Sequence, residues 1–142
     1  MPTVPAPPPA ADRTGVITAV RGSVVDARFP GDLPPLRQRL LAGRRSEVVL
    51  EVSEHLGADT ARGIALTATR GLARGEPVWD SGTPLTAPVG PALLGRMVNV
   101  FGATIDGGPP LTGVERRAIH RPPPPLHQQQ IERERFETGI KV

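Results

Sequence analysis

The sequence predicts a mainly β protein, built as a small sandwich or barrel. Gly and Pro, with 16 and 18 copies, make up nearly a quarter of the 142 residues, so long regular helices are disfavoured. About six short apolar stretches between Thr14 and Val89 follow one another at roughly 8–12-residue spacing, which is typical of small all-β domains. Closure into a barrel would pair the edges that such short strands otherwise expose.

The clearest strand pair spans Thr14 to Phe29. Val16–Val20 is largely apolar, and Arg21–Ser23 provides a tight reversal because its central Gly accepts a positive φ. The residues that follow alternate between an apolar face and a charged face. The apolar face holds Val25, Ala27 and Phe29, and the charged face holds Asp26 and Arg28. This pattern predicts a β-hairpin.

Four further strands are predicted downstream of the hairpin. They are Glu47–Val52, Ala61–Thr69, Pro77–Asp80 and Leu85–Val89. In the first of them Val48, Leu50 and Val52 share a face, and Ile64 and Leu66 share one in the second. Turns are expected at Ser53–Gly57 and Gly71–Gly75. The stretch Leu33–Arg45 stays open, since its prolines and Gly43 would also suit a short capped helix.

The stretch Thr83–Asp106 is dense in Gly and Pro, and it predicts a hinge between two structural units. Pro88 places the strand that contains it at an edge or an exit of the sheet. Pro91 starts a new element, in which Leu93 and Leu94 are expected to be buried.

The composition excludes several classes of site and of location. There is no Cys, so disulfides, thiolate metal sites and Cys nucleophiles are excluded. No apolar run approaches the roughly 20 residues that span a bilayer, and the first residues do not resemble a secretory signal. The net charge is only +3, and every cation except Lys141 is an Arg interspersed with acids, which is typical of a solvated surface. We therefore expect a soluble, cytoplasmic chain that meets the membrane only through partners.

A specific resemblance begins in the hinge. The run PVGPALLGRMVNVFGATID, residues 88–106, closely resembles the segment that joins the first two domains in catalytic beta subunits of F-type ATP synthases. Gly95–Arg96, Asn99, Gly102 and Asp106 stand at the offsets that make this motif specific. VLEVSEHLG and GLARGEPVWDSGTPL extend the resemblance towards the start of the chain, and ERRAIHRPPPPL and FETGIKV extend it to Val142.

The resemblance implies a fold and a role. It implies a six-stranded β-barrel followed by an incomplete α/β segment, with a barrel assembly domain at 14–89 and the start of a nucleotide-binding domain at 90–142. Residues 1–13, which the resemblance does not cover, are rich in Pro and small residues and are expected to form a disordered tail. It also favours an irregular, partly extended connection at Leu33–Arg45. In this family, the barrels of alternating alpha and beta subunits form a crown that holds the ring together. Alpha subunits are therefore the expected partners, and nucleic acid is not.

The resemblance transfers no catalytic, cofactor-binding or metal-binding residue to this chain. The family uses ATP or ADP with Mg²⁺, but its phosphate loop and catalytic groups correspond to sequence beyond Val142. No G-x-x-x-x-G-K-[ST] occurs in the 142 residues, and Lys141 is expected to be a surface residue. We therefore expect a fragment, or the product of a truncated or split gene, that is inactive alone.

The remaining polar candidates favour structural roles. His55, His120 and His127 lack the spacing of metal ligands, so packing roles are expected. Asp106 and Glu115 are expected to be solvated or capping residues rather than an acid–base pair. Arg96 is expected to form an interdomain ion pair.

Residues 107–142 are expected to be poorly ordered on their own. Pro122–Pro125 forms an extended spacer, and Gln128–Phe136 would be a poor isolated helix.

Three other identities stay open. A single-stranded nucleic-acid-binding barrel would need aromatic stacking platforms, and Phe29 and Trp79 are the only aromatics in the barrel region. A fragment of a non-catalytic alpha subunit would share the same architecture. A relative of the flagellar or vacuolar ring ATPases would be expected to differ in the GRMVNVFG run.

Overall fold

A computed structural model describes residues 13–129 of the chain, and it contains a closed six-stranded antiparallel barrel with the strand order β1-β2-β5-β4-β3-β6. The barrel strands are β1 Thr14–Arg21, β2 Val24–Arg28, β3 Gln38–Ala42, β4 Val48–His55, β5 Thr60–Ala65 and β6 Pro77–Pro84. After the barrel, β7 Thr86–Pro88 pairs with β8 Arg116–Ala118 in a two-stranded ribbon. Short 3₁₀ turns lie at Pro91–Leu93 and Leu126–Gln128. The predicted six-stranded barrel is confirmed.

Alternate residues of the barrel strands fill its interior. On β2, Val25 and Ala27 point inward, and Phe29 follows them on the same face, as the alternation predicts. The core residues, each at most 2% exposed, are Ile17, Val25, Ala27, Phe29, Leu40, Ala42, Val48, Leu50, Val52, Ala61 and Val78. The hairpin and the inward faces of β2 and β4 were therefore predicted correctly.

A glycine gives the largest core side chain its space. A Cβ added at Gly15 would lie 2.8 Å from two ring carbons of Phe29 and 2.7 Å from the Arg28 carbonyl oxygen. Real Cβ atoms do not come so close to other atoms, so no side chain fits at this point of β1. Gly15 thus allows Phe29 to lie directly against the neighbouring strand.

One of the six barrel strands is not among the six predicted strands. It is β3, Gln38–Ala42, which lies inside the stretch expected to be an irregular connection. Leu40 and Ala42 face the barrel interior, and Leu41 between them is buried on the outside. Because both faces of β3 are covered, its apolar residues are consecutive. The sequence therefore lacks the alternation of apolar and polar residues by which a strand is recognised.

The predicted strand Leu85–Val89 lies outside the barrel. Strand β6 runs on to Pro84, and Pro88 then pairs with Arg116 in the β7–β8 ribbon, consistent with the edge position expected for a proline. The 3₁₀ turn begins at Pro91 as expected, but Leu94 is 82% exposed, so its predicted burial is wrong.

Two further predictions agree with the structure only in part. Strand β4 continues to His55, so the turn predicted at Ser53–Gly57 starts later than expected. Residues 90–129 contain no α-helix, and most of the helix predicted at 128–136 lies outside the described residues, as do residues 1–12 of the tail. The division of the chain at residues 89 and 90 stays a prediction.

Candidate assembly surface

One half of the outer wall of the barrel is covered by the chain itself. This half is formed by β4, β3 and β6, which are neighbours in the sheet. The outward residues Leu41 and Val49 are at most 3% exposed, and they pack with Leu85, Trp79 and Phe101. Because Leu85 and Phe101 follow the barrel in the sequence, the segment after the barrel folds back onto this wall. We call residues 85–118 the covering segment.

Arg116 holds the covering segment together. Its Nη2 donates to the carbonyl oxygen of Phe101 at 2.7 Å and to that of Thr86 at 2.9 Å, and its Nε donates to Thr86 Oγ1 at 3.1 Å. Asn99 Oδ1 accepts hydrogen bonds from the backbone amides of Phe101 and Ala103, each at 3.0 Å. These bonds fix the Phe101 loop against the β7–β8 ribbon, and so against the barrel.

Arg96 forms an ion pair within this segment. Its Nε lies 2.6 Å from Asp106 Oδ2, and its Nη2 donates to the Pro109 carbonyl at 2.7 Å. The Arg96 guanidinium, assisted by the backbone amides of Met97 and Gly108, lowers the pKa of the Asp106 carboxyl. The predicted ion pair is present and Asp106 caps backbone amides, but the pair does not join two domains, because both partners lie in the same segment.

The other half of the wall carries exposed apolar side chains. We call it the open wall, the outward surface of β1, β2 and β5 formed by Val16, Asp26, Arg28, Arg62 and Ile64. Val16 and Ile64 are each 45% exposed. Leu66, just beyond β5, is also exposed, so the face that Ile64 and Leu66 were predicted to share points outward. Covered and open halves give the barrel two chemically different sides.

A charged network lies on the open wall. Asp26 on β2 is buried, and its carboxylate accepts hydrogen bonds from Arg62 Nε at 2.8 Å and Arg62 Nη2 at 3.2 Å. Arg21 of β1 also contacts Asp26, and Arg62 lies 3.7 Å from Glu54 of β4. The register of β2 and β5 places Asp26 directly opposite Arg62. The network therefore links four neighbouring strands across their outer face.

Asp26 makes the stability of the barrel dependent on pH. The hydrogen bond from Arg62 lowers the pKa of the Asp26 carboxyl, against burial, which raises it. A carboxyl whose pKa is lowered by folding contributes its stabilisation fully above its unfolded pKa and loses it as the pH falls through the folded value. The unfolded value is the ordinary 3.8, so the contribution is complete above about pH 4 and fades below it.

We predict that Asp26→Asn lowers the free energy of unfolding by about 1–2 kcal/mol at neutral pH, because it removes two charge-assisted hydrogen bonds. The loss should shrink at about pH 3, below the ordinary carboxyl pKa, because protonation there favours the unfolded chain and reduces the contribution of Asp26. Urea unfolding at the two pH values measures this, with the exposed Asp32→Asn as the control. A loss of equal size at both pH values would contradict the assigned role of Asp26.

Two of the histidines form hydrogen bonds with residues distant in the sequence. His55 Nε2 donates to the Pro34 carbonyl at 2.8 Å, and His120 Nε2 lies 3.1 Å from Glu51 Oε1 on β4. His127 lies in the exposed 3₁₀ turn at the end of the described chain. Within residues 13–129, no group of three or more His, Cys, Asp or Glu is arranged to hold a metal ion.

Asp106 and Glu115 have separate partners. Glu115 lies 2.6 Å from Arg117 and its side chain is 61% exposed, whereas Asp106 is bound by Arg96. The two carboxyls are therefore not joined in a common hydrogen-bond network that would support acid–base chemistry. Lys141, the remaining candidate, lies outside the described residues.

The barrel offers no aromatic platform for nucleic-acid bases. Phe29 is in the core, and Trp79 packs in the covered half of the wall with Phe101. Single-strand binding by small barrels depends on exposed aromatic faces on which bases stack. The structure therefore does not favour the nucleic-acid-binding alternative.

Sequence reasoning missed the residues that organise this surface. Asp26 was assigned to the outer face, but its partner Arg62 lies 36 residues away and no local signal connects them. Arg116 was not singled out, although it bonds to Thr86 and Phe101. Knowledge of the strand register would have been needed to find either contact.

Comparison with known proteins gives a family match and several close relatives. The model of the ATP synthase alpha/beta family, beta-barrel domain, matches residues 17–82. ATP synthase subunit beta 1 of Psychromonas ingrahamii is 56% identical over 128 residues, which cover 90% of this chain and 26% of that protein. ATP synthase subunit beta 2 of Syntrophotalea carbinolica is 50% identical over 132 residues, covering 93% and 28%.

A third relative gives the same picture. ATP synthase subunit beta 2 of Nitrosospira multiformis is 48% identical over 128 residues, which cover 90% of this chain and 27% of that protein. The chain thus spans about a quarter of the length of these relatives.

None of the helices in residues 13–129 has the length and apolar character needed to cross a membrane.

Proposed function

Because this chain belongs to the ATP synthase alpha/beta family, we propose that it is part of the catalytic beta subunit of a rotary F-type ATP synthase, and that its barrel serves the assembly of the ring. The observation that carries the proposal is the match of residues 17–82, which contain almost the whole barrel, to the barrel domain of the family. Catalysis, coupled to proton or sodium transport, would belong to the complete subunit. The role of these residues is to hold neighbours together.

The open wall is the surface we assign to this role. In a ring of alternating subunits each barrel meets its two neighbours through different patches, so contact surfaces on the wall are required. Strand edges cannot provide them, because the barrel is closed. The open wall places half-exposed Val16 and Ile64 on either side of the Asp26–Arg62 pair, so apolar contact area and paired charges are both offered to a neighbour.

The covering segment has a second set of exposed apolar residues. Met97 is 59% exposed, Val100 73% and Ile105 56%. We assign this surface to contacts with the remainder of a nucleotide-binding domain, which would explain why apolar side chains are presented on a segment already fixed by Arg96 and Arg116.

Co-expression with an ATP synthase alpha subunit tests the proposed role. The chain should copurify with a tagged alpha subunit and move with it in sedimentation velocity. A tagged protein with no relation to the family serves as the control. A chain that stays a clean monomer at high concentration, with the alpha subunit present, would contradict a role in assembly.

ATP and Mg²⁺ do not fit the residues of this chain. A phosphate loop needs Gly-rich backbone, a Lys for the terminal phosphates and a Ser or Thr for Mg²⁺, and the 142 residues contain no such motif. The described residues also lack a carboxylate group arranged for a metal ion.

We predict that this 142-residue chain neither hydrolyses ATP nor prefers it over tripolyphosphate. Any attraction to phosphates would come from its arginines, which respond to the negative charge of the phosphates and do not recognise the adenine base. Isothermal calorimetry with Mg-ATP and with Mg-tripolyphosphate makes the comparison. Micromolar binding with a preference for ATP, or turnover above the Mg²⁺-only background, would contradict the prediction.

The location follows from the same proposal. The chain would reach the membrane through the assembled complex, on its cytoplasmic side. The alternative of an alpha-subunit fragment is not favoured, since the relatives described above are all beta subunits.

A further inference from the structure

Five arginines gather at one end of the barrel, which we call the arginine end: Arg21, Arg44, Arg45, Arg70 and Arg74. They lie at the turns that connect β1 to β2, β3 to β4 and β5 to β6. Neighbouring strands in the barrel are antiparallel, so these three connections all lie at the same end. All five side chains are exposed, and that of Arg44 is 84% exposed.

The three turns form one continuous surface. Thr69 Oγ1, in the connection from β5 to β6, donates to the Gly22 carbonyl in the first turn at 2.8 Å. The Gly43 amide, in the second turn, donates to the Pro77 carbonyl at the start of β6 at 3.0 Å. These bonds fix the turns to one another, so their arginines are presented together rather than on independent loops.

The acids on these turns do not balance the arginines. Only Glu47 and Glu76 lie there, and each accepts a backbone hydrogen bond, from the amides of Arg45 and Ala73 respectively. Glu76 also lies 3.7 Å from Arg44, and Arg21 is paired with Asp26. Arg45, Arg70 and Arg74 form no ion pair with another residue in the range 13–129. This end therefore has positive charge available to a partner.

The arginine end lies opposite the end of the barrel at which the described chain enters and leaves it. Strand β1 begins at Thr14 and β6 finishes at Pro84, both at the opposite end of the barrel. The β7–β8 ribbon follows directly from that opposite end. The covering segment packs on the side wall through Leu41 and Val49, so neither it nor the ribbon occupies the arginine end.

We propose that the arginine end docks an acidic segment, rich in Asp and Glu, of a partner protein. Guanidinium groups bind carboxylates through paired hydrogen bonds, which makes Arg better suited than Lys to this recognition. Leu66, 41% exposed in the same connection as Arg70, offers an apolar contact beside the charges. The turns carry no aromatic side chain on which bases could stack, so an acidic protein segment fits better than a single-stranded nucleic acid.

This inference is independent of ring assembly, because Arg45, Arg70 and Arg74, which are free of ion pairs among residues 13–129, lie in the turns and not among the residues that form the open wall. Its test is fluorescence anisotropy of the whole chain with a fluorescein-labelled peptide of alternating Glu and Leu. The same peptide with Gln in place of Glu is the probe control. The chain should bind only the acidic peptide, and rising salt should weaken the binding.

Two matched triple variants locate the site. Changing Arg45, Arg70 and Arg74 to Gln should weaken binding roughly tenfold or more, whereas changing the exposed Arg28, Arg37 and Arg121 to Gln should change it less than about twofold. Both variants remove the same charge, and circular dichroism checks their folding. Equal losses in the two variants would overturn the assignment, as would no binding to the acidic peptide. Tighter binding to phosphatidylserine vesicles or to oligothymidine than to the peptide would overturn the choice of partner.

Discussion

Phe29→Ala should lower the free energy of unfolding of the barrel by about 3–5 kcal/mol. Phe29 is 2% exposed and is the largest fully buried side chain among the described residues. It packs against Gly15, which has no side chain and so leaves room for the ring. Removal of the ring would leave a cavity that the closed barrel cannot collapse to fill, because each strand is bonded on both sides.

Urea unfolding followed by circular dichroism measures this loss. Leu94→Ala is the matched control, since Leu94 is 82% exposed and its truncation should change the free energy by less than about 0.5 kcal/mol. A small domain has only about 5–15 kcal/mol in total, so Phe29→Leu, with an expected loss of about 1–2 kcal/mol, keeps the series measurable. Equal stabilities of Phe29→Ala and Leu94→Ala would contradict the position of the core.

Ile64→Glu should weaken association with an ATP synthase alpha subunit by roughly thirtyfold or more, while the free energy of unfolding changes little. Ile64 is 45% exposed in the single chain, so a charge there stays solvated before assembly. On burial in an interface the same carboxylate would lose its water without gaining a partner. A loss of about 2 kcal/mol, typical of a central interface residue, corresponds to the expected factor.

Each chain, unchanged or substituted, is titrated over surface-immobilised alpha subunit, and the dissociation constants are compared. Val100→Glu is the control, because Val100 is 73% exposed on the covering segment and not on the open wall. If Ile64→Glu binds as tightly as the unchanged chain, the open wall is not the contact surface. Weaker binding by Val100→Glu alone would assign the contact to the covering segment.

The parts of the fold with one covered face could be predicted from the sequence. In β2, the inward residues Val25 and Ala27 alternate with the outward Asp26 and Arg28, and the structure agrees. The parts with two covered faces could not. In β3 the consecutive Leu40, Leu41 and Ala42 are all buried, because the core lies on one side and the covering segment on the other. Consecutive apolar residues fit a strand and a helix equally well.

The contacts of the candidate site depend on non-local pairing. Asp26 meets Arg62 because β2 pairs with β5, whereas the sequence suggests only the local pairing of β2 with β1. The contact of Arg96 is local instead. An ion pair was expected from its position in a specific motif, and its partner Asp106 lies ten residues away within that same motif. Resemblance identified the motif, but only the structure gave the partner.

Chemical labelling at one position of the open wall tests the central claim most directly. The chain has no Cys, so Ile64→Cys and the exposed control Ala73→Cys at the arginine end each create a single reactive thiol. Maleimide labelling rates are compared for each variant, alone and with excess alpha subunit. If the open wall is the assembly surface, Ile64→Cys should be labelled roughly tenfold or more slowly in the mixture, with Ala73→Cys unchanged. Labelling of Ile64→Cys at the same rate in a proven complex would contradict it.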